Sequence, residues 1–472
     1  MKNKIILIIL ISFLFIGCFN KTTPTSSLRL LSDKDISTLY PGETFSVTIE
    51  SSTETTDDIT IEYGTEKYIT KIGSCNQFTA PVNTGNTQLK VFLNGNLEGK
   101  KDIKVVKKQL KKAVYVYMAA DNNMQYQAIN DLEEMREGTS DCPDTTVIAF
   151  VDVQNLSIDN TVVVIENGVY REIEKWDEVN TGDVETFKKF IKRGKELCSS
   201  QENSLVIWNH GDGWYNEEIT NSRKITKSVA IDETSNDSLN LYEIADGMNS
   251  FGEKWNILIF DACLMNTVEL IYQLKDSTKS ILGSPEETPF AGYDYKELIK
   301  YISESSDTKT AAKKIIDNSV EYYNSEKEFA CYAYLELGNT QILYDKINSL
   351  SLKLISEIEK VKAVKEKLKK EVLTYSSVDG DYTKYTSFTD LKDLLMFFKR
   401  ENIALSESDE ILKELNNMVI YQNYTSYDTS YGLDRTGGVT IYLPLENYYE
   451  AYERASLFGK ENKWREFIKM LQ

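Results

Sequence analysis

Two short apolar runs, each followed at once by a chemically reactive side chain, constrain this 472-residue chain more than any other feature. The first run, 204–208, leads to His210, and the second, 256–260, leads to Cys263. Unbroken apolar runs of this length are typical of strands buried on both faces of a parallel sheet. Because ligands bind beyond the carboxyl ends of such strands, we expect His210 and Cys263 to lie side by side there.

The stretch around these two runs alternates between apolar strands and helical patterns. Further strands are expected at 113–120, 146–153 and 280–283, and helices near 184–198, 239–251 and 267–274. This alternation indicates βαβ units and a mostly parallel sheet flanked by helices, the α/β class. Beyond residue 300 we expect helices at 311–323, 342–373 and 465–471, and strands at 329–337 and 438–443. These two strands are too few to stand alone and should pack on the core sheet.

The N-terminus has the pattern of a targeting segment. Lys2 and Lys4 precede an apolar run, 5–16, that is too short to span a bilayer and is typical of a signal peptide. The run 14–18 resembles the bacterial lipoprotein cleavage site, which predicts lipidation of Cys18 and anchoring to a membrane of the cell envelope. A plain secretory signal and an uncleaved anchor are the alternatives.

The next segment is polar and then rich in β-branched residues. Short β-type runs between 27 and 107 are separated by Pro-Gly and Asn-Gly turn signals, and Phe45, Val47 and Ile49 alternate with polar residues. This predicts an all-β, immunoglobulin-like domain without a catalytic constellation, a spacer or adhesion module. The predicted organisation is a signal peptide (1–18), a tether (19–26), this β domain (27–107), an α/β core (112–300) and a C-terminal α/β extension packed on the core (301–472).

Composition excludes several classes of function. The net charge of −19 argues against a nucleic-acid-binding surface. The chain has a single histidine, which excludes a zinc site with two histidines and requires any serine triad to use His210. None of the six cysteines lies at C-x-x-C spacing, so neither a zinc ribbon nor a dense disulfide scaffold is expected. No spacing of carboxylates supports a glycosidase.

The remaining chemistry centres on the thiol and the imidazole. A thiol attacks an acyl carbon as the thiolate, and a nearby imidazole can take its proton and pass a proton to the leaving amine. We therefore hypothesise that Cys263 is a nucleophile and His210 its base, with the backbone N–H groups of Gly211 and Cys263 as oxyanion donors. On the residues alone, the alternatives are an inert buried cysteine and a hydrogen-bonded structural histidine.

The order of short motifs along the chain resembles the clostripain family of caspase-like cysteine peptidases. The motifs are YMAADNN at 117–123, NTGD at 180–183, NHGDGW at 209–214, FDACLM at 260–265 and GVTIYLP at 438–444. Each is weak alone, but their order and spacing over roughly residues 112–445 are specific. The resemblance implies a caspase-like sheet for the core, with His210 and Cys263 as the catalytic pair.

The resemblance also implies a substrate class. It implies cleavage of proteins or peptides after Arg or Lys, with an acidic group at the base of the pocket for that side chain. Asp261, two residues before the cysteine, matches the family position, and a carboxylate there can pair with a guanidinium; its alternative role is to cap a neighbouring backbone amide. Glu286, Glu287 and Asp294 follow the next strand and are further candidates for this pocket, the alternative being solvated loop charges.

The resemblance also implies that the chain cuts itself. Members of the family are often cut between the histidine and the cysteine into two associated chains, which predicts self-cleavage at Arg223 or Lys224; the alternative is an exposed loop that is never cut.

The chemistry requires no cofactor. Some members need calcium, which is expected here without a location, since the acidic stretch 379–381 lacks a full EF-hand loop. The rival function is a non-catalytic binding or adhesion lipoprotein on a caspase-like scaffold.

Overall fold

The computed structural model describes residues 15–16, 28–52, 58–154, 156–214, 228–376 and 385–472. The chain divides into two compact units, Met1–Gln109 with Glu196–Ser199, and Leu110–Lys195 with Ser200–Gln472. The five-part organisation expected from the sequence stays a prediction. In the described residues, no helix is both long enough and apolar enough to cross a membrane.

The first unit consists of two β-sheets. Its strands are β1 (Phe15–Ile16), β2 (Leu28–Ser32), β3 (Thr38–Leu39), β4 (Thr44–Ser51), β5 (Ile59–Tyr63), β6 (Glu66–Thr70), β7 (Cys75–Thr79), β8 (Gly85–Leu93) and β9 (Asn96–Val105). One sheet has the order β1-β2-β4-β7 and the other β3-β9-β8-β5-β6. Phe45, Val47 and Ile49 of β4 are buried in the shared apolar core, as their alternation predicts. The immunoglobulin-like class of this unit stays a prediction.

The second unit is an α/β unit. Its strands are β10 (Lys108–Ala119), β11 (Thr145–Asp152), β12 (Thr161–Glu166), β13 (Val169–Lys175), β14 (Cys198–Trp208), β15 (Val229–Asp232), β16 (Asp237–Leu239), β17 (Ile257–Asp261), β18 (Ser280–Gly283), β19 (Cys331–Glu336), β20 (Phe388–Asp390), β21 (Val419–Tyr424) and β22 (Thr440–Tyr442). Its helices are α1 (Gln125–Gly138), α2 (Val184–Leu197), α3 (Leu241–Asn249), α4 (Val268–Leu274), α5 (Tyr295–Glu304), α6 (Thr308–Glu326), α7 (Thr340–Ser356), α8 (Ile358–Glu371), α9 (Leu391–Arg400), α10 (Leu405–Met418), α11 (Tyr452–Ala455), α12 (Leu457–Glu461) and α13 (Trp464–Leu471).

Nine of these strands form one sheet in the order β13-β12-β11-β10-β14-β17-β18-β19-β21. The pairs β10–β11, β14–β17 and β17–β18 are parallel, whereas β11–β12, β12–β13, β18–β19 and β19–β21 are antiparallel. The sheet is therefore mixed, and the expectation of a mostly parallel sheet is wrong at both edges. At one edge, β12 and β13 follow β11 through short connections that reverse the chain. At the other edge, β19 and β21 each follow their neighbour in the sheet through more than one helix rather than through a single helical crossover.

Strand and helix formation in the centre follows the predicted pattern. The strands that lead to His210 and Cys263 are β14 and β17, and their apolar residues are almost wholly buried. Asn240 caps α3 with a reciprocal capping box, in which its side chain accepts from the Glu243 amide and the Glu243 carboxylate accepts from the Asn240 amide. The predicted helix 342–373 is two helices, α7 and α8, with Glu357 between them.

The C-terminal segment is tied to the core through one buried amide. Asn266, fully buried just after β17, donates from its side chain to the carbonyl oxygens of Gly283 (2.9 Å), Ala333 (3.3 Å) and Gly438 (3.4 Å). Its backbone carbonyl accepts from the Thr440 amide at 2.9 Å. These bonds hold β18, β19 and the strand β22 to the turn after β17, because buried carbonyl oxygens need a donor.

Replacing Asn266 by Ala should destabilise the second unit by about 2–3 kcal/mol, because three buried carbonyl oxygens lose a donor. Urea unfolding followed by tryptophan fluorescence measures this, since all five tryptophans lie in the second unit. Asn249→Ala, an exposed position at the end of α3, is the control and should change stability by less than about 0.5 kcal/mol. Equal urea midpoints for Asn266→Ala and Asn249→Ala would contradict the role assigned to the buried amide.

Candidate active site

The register of β14 on β17 brings the two reactive side chains together. Trp208 pairs with Asp261 at the carboxyl ends of these parallel strands. His210 and Cys263 each follow two residues later, so they leave the sheet at the same level. Both side chains line a single small cavity of about 30 Å³. This volume holds roughly one or two water molecules.

Cys263 is half-buried and faces the segment that follows β18. The backbone amide of Thr288 donates to its sulfur at 3.2 Å, and the Thr288 hydroxyl lies 3.3 Å from the same atom. Burial raises the pKa of the Cys263 thiol, while these two contacts with Thr288 lower it and the charges of Glu287 and Glu286 raise it. The resting group is therefore a thiol, and nucleophilic attack needs a base to remove its proton.

The turn after Cys263 is sharp. Leu264 has a φ of +61°, a conformation that costs a branched apolar residue of order 1 kcal/mol or more. The Leu264 amide donates to the Glu286 carbonyl oxygen at 3.0 Å, which holds the turn in place. Gly211 explains why the turn has room: a Cβ atom there would lie 2.5 Å from the Cys263 carbonyl oxygen. Glycine after the histidine thus permits close approach of the cysteine backbone, and the oxyanion role of Gly211 and Cys263 stays a prediction.

His210 is oriented by Asn123, a residue of the loop before α1. The His210 Nε2 atom lies 2.7 Å from the Asn123 side-chain oxygen. An amide oxygen accepts and never donates, so this contact places the imidazole proton on Nε2 and leaves Nδ1 as the basic nitrogen. The sequence indicates this residue only as part of the motif at 117–123, and its contact with the histidine is visible only in the folded chain.

Two further asparagines fix the loop that carries the histidine. The side chains of Asn122 and Asn209 both donate to the carbonyl oxygens of Ala119 and Ile231, with both bonds of Asn122 at 3.0 Å. The loop after His210 is held as well, because the Asp212 amide donates to the Ser228 carbonyl oxygen at 2.8 Å. Buried amides that bridge two segments in this way specify their relative position.

Asp261 lines the cavity and is 5% exposed. Its carboxylate accepts from the Tyr295 hydroxyl at 3.0 Å and from the Tyr293 amide at 3.5 Å. Burial raises the pKa of Asp261 to about 7, against these two hydrogen bonds, which lower it. Gly292 covers the carboxylate, since a Cβ at that position would lie 2.6 Å from the Asp261 Oδ2 atom. Asp261 thus does contact a backbone amide, but only at the long end of the hydrogen-bond range.

The other three predicted pocket acids lie elsewhere. The Glu286 carboxylate is buried and accepts from the amides of Glu287 (2.6 Å) and Ser376 (3.0 Å) and from the Tyr431 hydroxyl. The Glu287 carboxylate accepts from the Ser376 hydroxyl at 2.6 Å. Asp294 is exposed and caps α5, accepting from the Glu297 amide at 3.0 Å. None of these three side chains is among the described residues that line the cavity.

Sequence reasoning missed one acid that does line the cavity. Asp131, on α1, is 4% exposed, and its carboxylate accepts from the Trp208 indole N–H at 2.7 Å. The pattern held a signal: Asp131 falls on the buried face of the helix, three residues after Ala128 and four before Met135. A charged residue on an apolar helix face is uncommon in the absence of a partner or a function.

Some predicted sites lie outside the described residues. These are Cys18, Arg223, Lys224 and the acidic stretch 379–381. Within the described ranges, no group of three or more His, Cys, Asp and Glu side chains is arranged to hold a metal ion. The calcium expectation therefore stays a prediction without a location.

Known proteins resemble this chain in sequence and in fold. The chain is 23% identical to clostripain from Hathewaya histolytica over 393 residues, which is 76% of this chain and 64% of clostripain, less than two thirds of that protein's length. Its fold is similar to that of a secreted C11 cysteine protease from Bacteroides thetaiotaomicron with a bound irreversible peptide inhibitor (TM-score 0.59, 18% identity, 76% of this chain and 99% of that one). It is also similar to an inactive zymogen C11 protease from Parabacteroides distasonis (TM-score 0.56, 19% identity, 77% and 99%). A sequence model described as the clostripain family matches residues 116–470, and the chain therefore belongs to that family.

Proposed function

We propose that this protein is a secreted, lipid-anchored cysteine endopeptidase that cleaves after Arg or Lys through Cys263 and His210. The observation that carries the proposal is the alignment of these two side chains beyond β14 and β17, in one cavity with the buried carboxylate of Asp261. The bound peptide inhibitor of the Bacteroides thetaiotaomicron relative supports a peptide substrate. Asp261 supports a basic side chain, because a buried carboxylate favours a cationic partner.

The geometry supports an acyl-transfer mechanism. Nδ1 of His210 takes the thiol proton, and the thiolate of Cys263 attacks the carbonyl carbon of the scissile bond. Backbone N–H groups of Gly211 and Cys263 receive the developing oxyanion. The imidazolium then gives its proton to the leaving amine, and water hydrolyses the thioester with His210 again acting as base. The segment 288–292 forms one wall of the cavity and lies beside Asp261, where the basic side chain would bind.

Peptide cleavage should depend on both side chains of the pair. We expect full-length protein in detergent to hydrolyse fluorogenic peptides with Arg or Lys before the reporter faster than peptides with Asp or Asn. Cys263→Ala and His210→Ala should each lower kcat by at least about 10³-fold, since the members of such a pair act as a unit. Cys75→Ser, at an exposed cysteine of the first unit, is the matched control and should leave the rate unchanged.

Unchanged hydrolysis by Cys263→Ala would remove the thiol mechanism. A preference for Asp or Asn would remove the assignment of Asp261 to the pocket. A complete lack of hydrolysis by the wild type, with binding of the same peptides retained, would favour the rival function of a non-catalytic binding lipoprotein.

We also propose self-cleavage between the histidine and the cysteine, after Arg223 or Lys224. The two ends of this connection are held together, because the Ser228 hydroxyl donates to the Gly213 carbonyl oxygen at 2.9 Å. The two products would stay associated, since β14 would belong to one chain and its partner β17 to the other. The zymogen state of the Parabacteroides distasonis relative supports processing as a step in activation.

Intact mass spectrometry of purified wild type beside Cys263→Ala tests this processing. We expect two fragments with a junction after residue 223 or 224 in the wild type, and an unbroken chain in Cys263→Ala. A double variant, Arg223→Gln with Lys224→Gln, should keep the catalytic pair and yet remain uncut. Unbroken chains in both the wild type and Cys263→Ala would show that the connection is an exposed loop that is not processed.

The lipid anchor is proposed from the run 14–18 alone. Cys18→Ser should abolish incorporation of radiolabelled fatty acid and release the protein from the membrane fraction, because a serine cannot carry the lipid thioether. Cys75→Ser is the control and should keep both the label and the membrane association. Fatty-acid label that persists in Cys18→Ser, or wild type found only in the medium, would favour a different type of signal segment. The calcium requirement remains a proposal without an assigned site.

A further inference from the structure

We propose that Asp131 is a second recognition carboxylate of this pocket, which acts with Asp261 to select a guanidinium. The inference rests on the proposed function and deepens it, because it names a specificity-determining residue that the chemistry alone does not require. Asp131 comes from α1, an element separate from the strands that carry Asp261 and the catalytic pair. Its side chain lines the same cavity as His210, Cys263 and Asp261.

The two carboxylates are linked through the strand ends. The Asp131 Oδ2 atom accepts from the indole N–H of Trp208, and Trp208 pairs with Asp261 in the register of β14 on β17. Both carboxylates are therefore connected to the strand ends, Asp131 through the indole of Trp208 and Asp261 as the last residue of β17. Two carboxylates on different elements can contact both edges of a planar guanidinium, whereas an ammonium has a compact donor set that one carboxylate can saturate.

Neither carboxylate has a cationic partner in the described part of the chain. No Lys, Arg or His side-chain nitrogen described there lies within 4.0 Å of the Asp131 or Asp261 oxygens. Four polar groups face the pair: Trp208 on β14, Tyr293 before α5, Tyr295 on α5 and Glu134 on α1. The titratable side chains of His210 and Cys263 line the same cavity. Burying two carboxylates without a counter-charge is costly, and a cation supplied by the substrate removes that cost.

The protonation of the pair follows from this environment. Burial, together with the charges of Asp261 and Glu134, raises the pKa of Asp131 to about 9, against the indole hydrogen bond, which lowers it. The pKa of Asp261 is about 7. Asp131 is therefore protonated at neutral pH, and a guanidinium that binds beside it displaces that proton.

Two measurements test the proposal, one with simple ligands and one with peptides. Ligand-observed NMR titration of full-length wild type with butylguanidinium needs no hydrolysis, and butylurea is its neutral isostere. For the wild type, affinity for butylguanidinium should keep rising between about pH 7 and 9, by up to about tenfold per pH unit. Asp131→Asn should lose at least about tenfold in affinity and show no further rise above about pH 7.

The asparagine variant separates recognition from structure. An asparagine side chain at this position can still accept from the Trp208 indole, so Asp131→Asn keeps a purely structural anchor and removes only the charge. Asp131→Asn should melt no lower than wild type at about pH 8. A carboxyl group whose pKa is raised in the folded state makes the fold less stable as pH rises toward that raised pKa. The substitution removes the carboxyl group and with it this loss of stability. Glu133→Gln, an exposed charge on the same helix, is the matched control and should change neither affinity nor its pH dependence.

In the peptide assay, we compare kcat/KM for a substrate with Arg before the reporter with kcat/KM for the same substrate with citrulline. Asp131→Asn should lower the ratio of these two values at least about tenfold. The change should come from a higher KM for the Arg substrate, with kcat/KM for the citrulline substrate nearly unchanged. Equal butylguanidinium affinities and pH profiles for Asp131→Asn and wild type would overturn the proposal, as would a lack of binding by wild type. Binding that depends on Asp131 without peptide hydrolysis would keep the second carboxylate and remove the peptidase function.

Discussion

The parallel register of β14 on β17 is the constraint on which the rest of the site depends. Trp208 opposite Asp261 fixes the level at which both strands end, and the two residues that follow each strand bring His210 beside Cys263. A slip of one residue in this register would turn alternate side chains to the other face of the sheet. The strands resist such a slip because their apolar residues are buried on both faces, so every displaced side chain would cost burial energy.

The reactive groups beside this register have little free space around them. The Thr288 amide contacts the sulfur, burial keeps Cys263 a thiol, and the cavity has room for little more than water. Thr288 and Gly292 belong to one segment, 288–292, so this segment contacts both the Cys263 sulfur and the Asp261 carboxylate.

The sequence predicts where His210 and Cys263 leave the sheet, because local patterns determine it. Strands of buried apolar residues must end at polar groups, and His210 and Cys263 are the groups at those ends. The missed features depend on contacts between distant segments. The break between α7 and α8 has no glycine or proline; the Glu357 carboxylate accepts instead from the Ala404 amide at 3.1 Å, far along the chain. Antiparallel edge strands likewise depend on partners that periodicity does not identify.

The predicted pocket acids show the same limit of prediction from sequence. Glu286 and Asp294 are close to the cysteine along the chain, yet one is bonded to Ser376 and the other caps a helix. Asp131 is far from it in sequence and nevertheless reaches the cavity, because α1 packs the face that bears it against the end of β14. Distance along the chain therefore says little about which carboxylates reach the cavity. Burial without a counter-charge does not decide it either, because Glu286 is buried beside amides and a hydroxyl and still lies outside the cavity. The packing of the element that bears each carboxylate decides it.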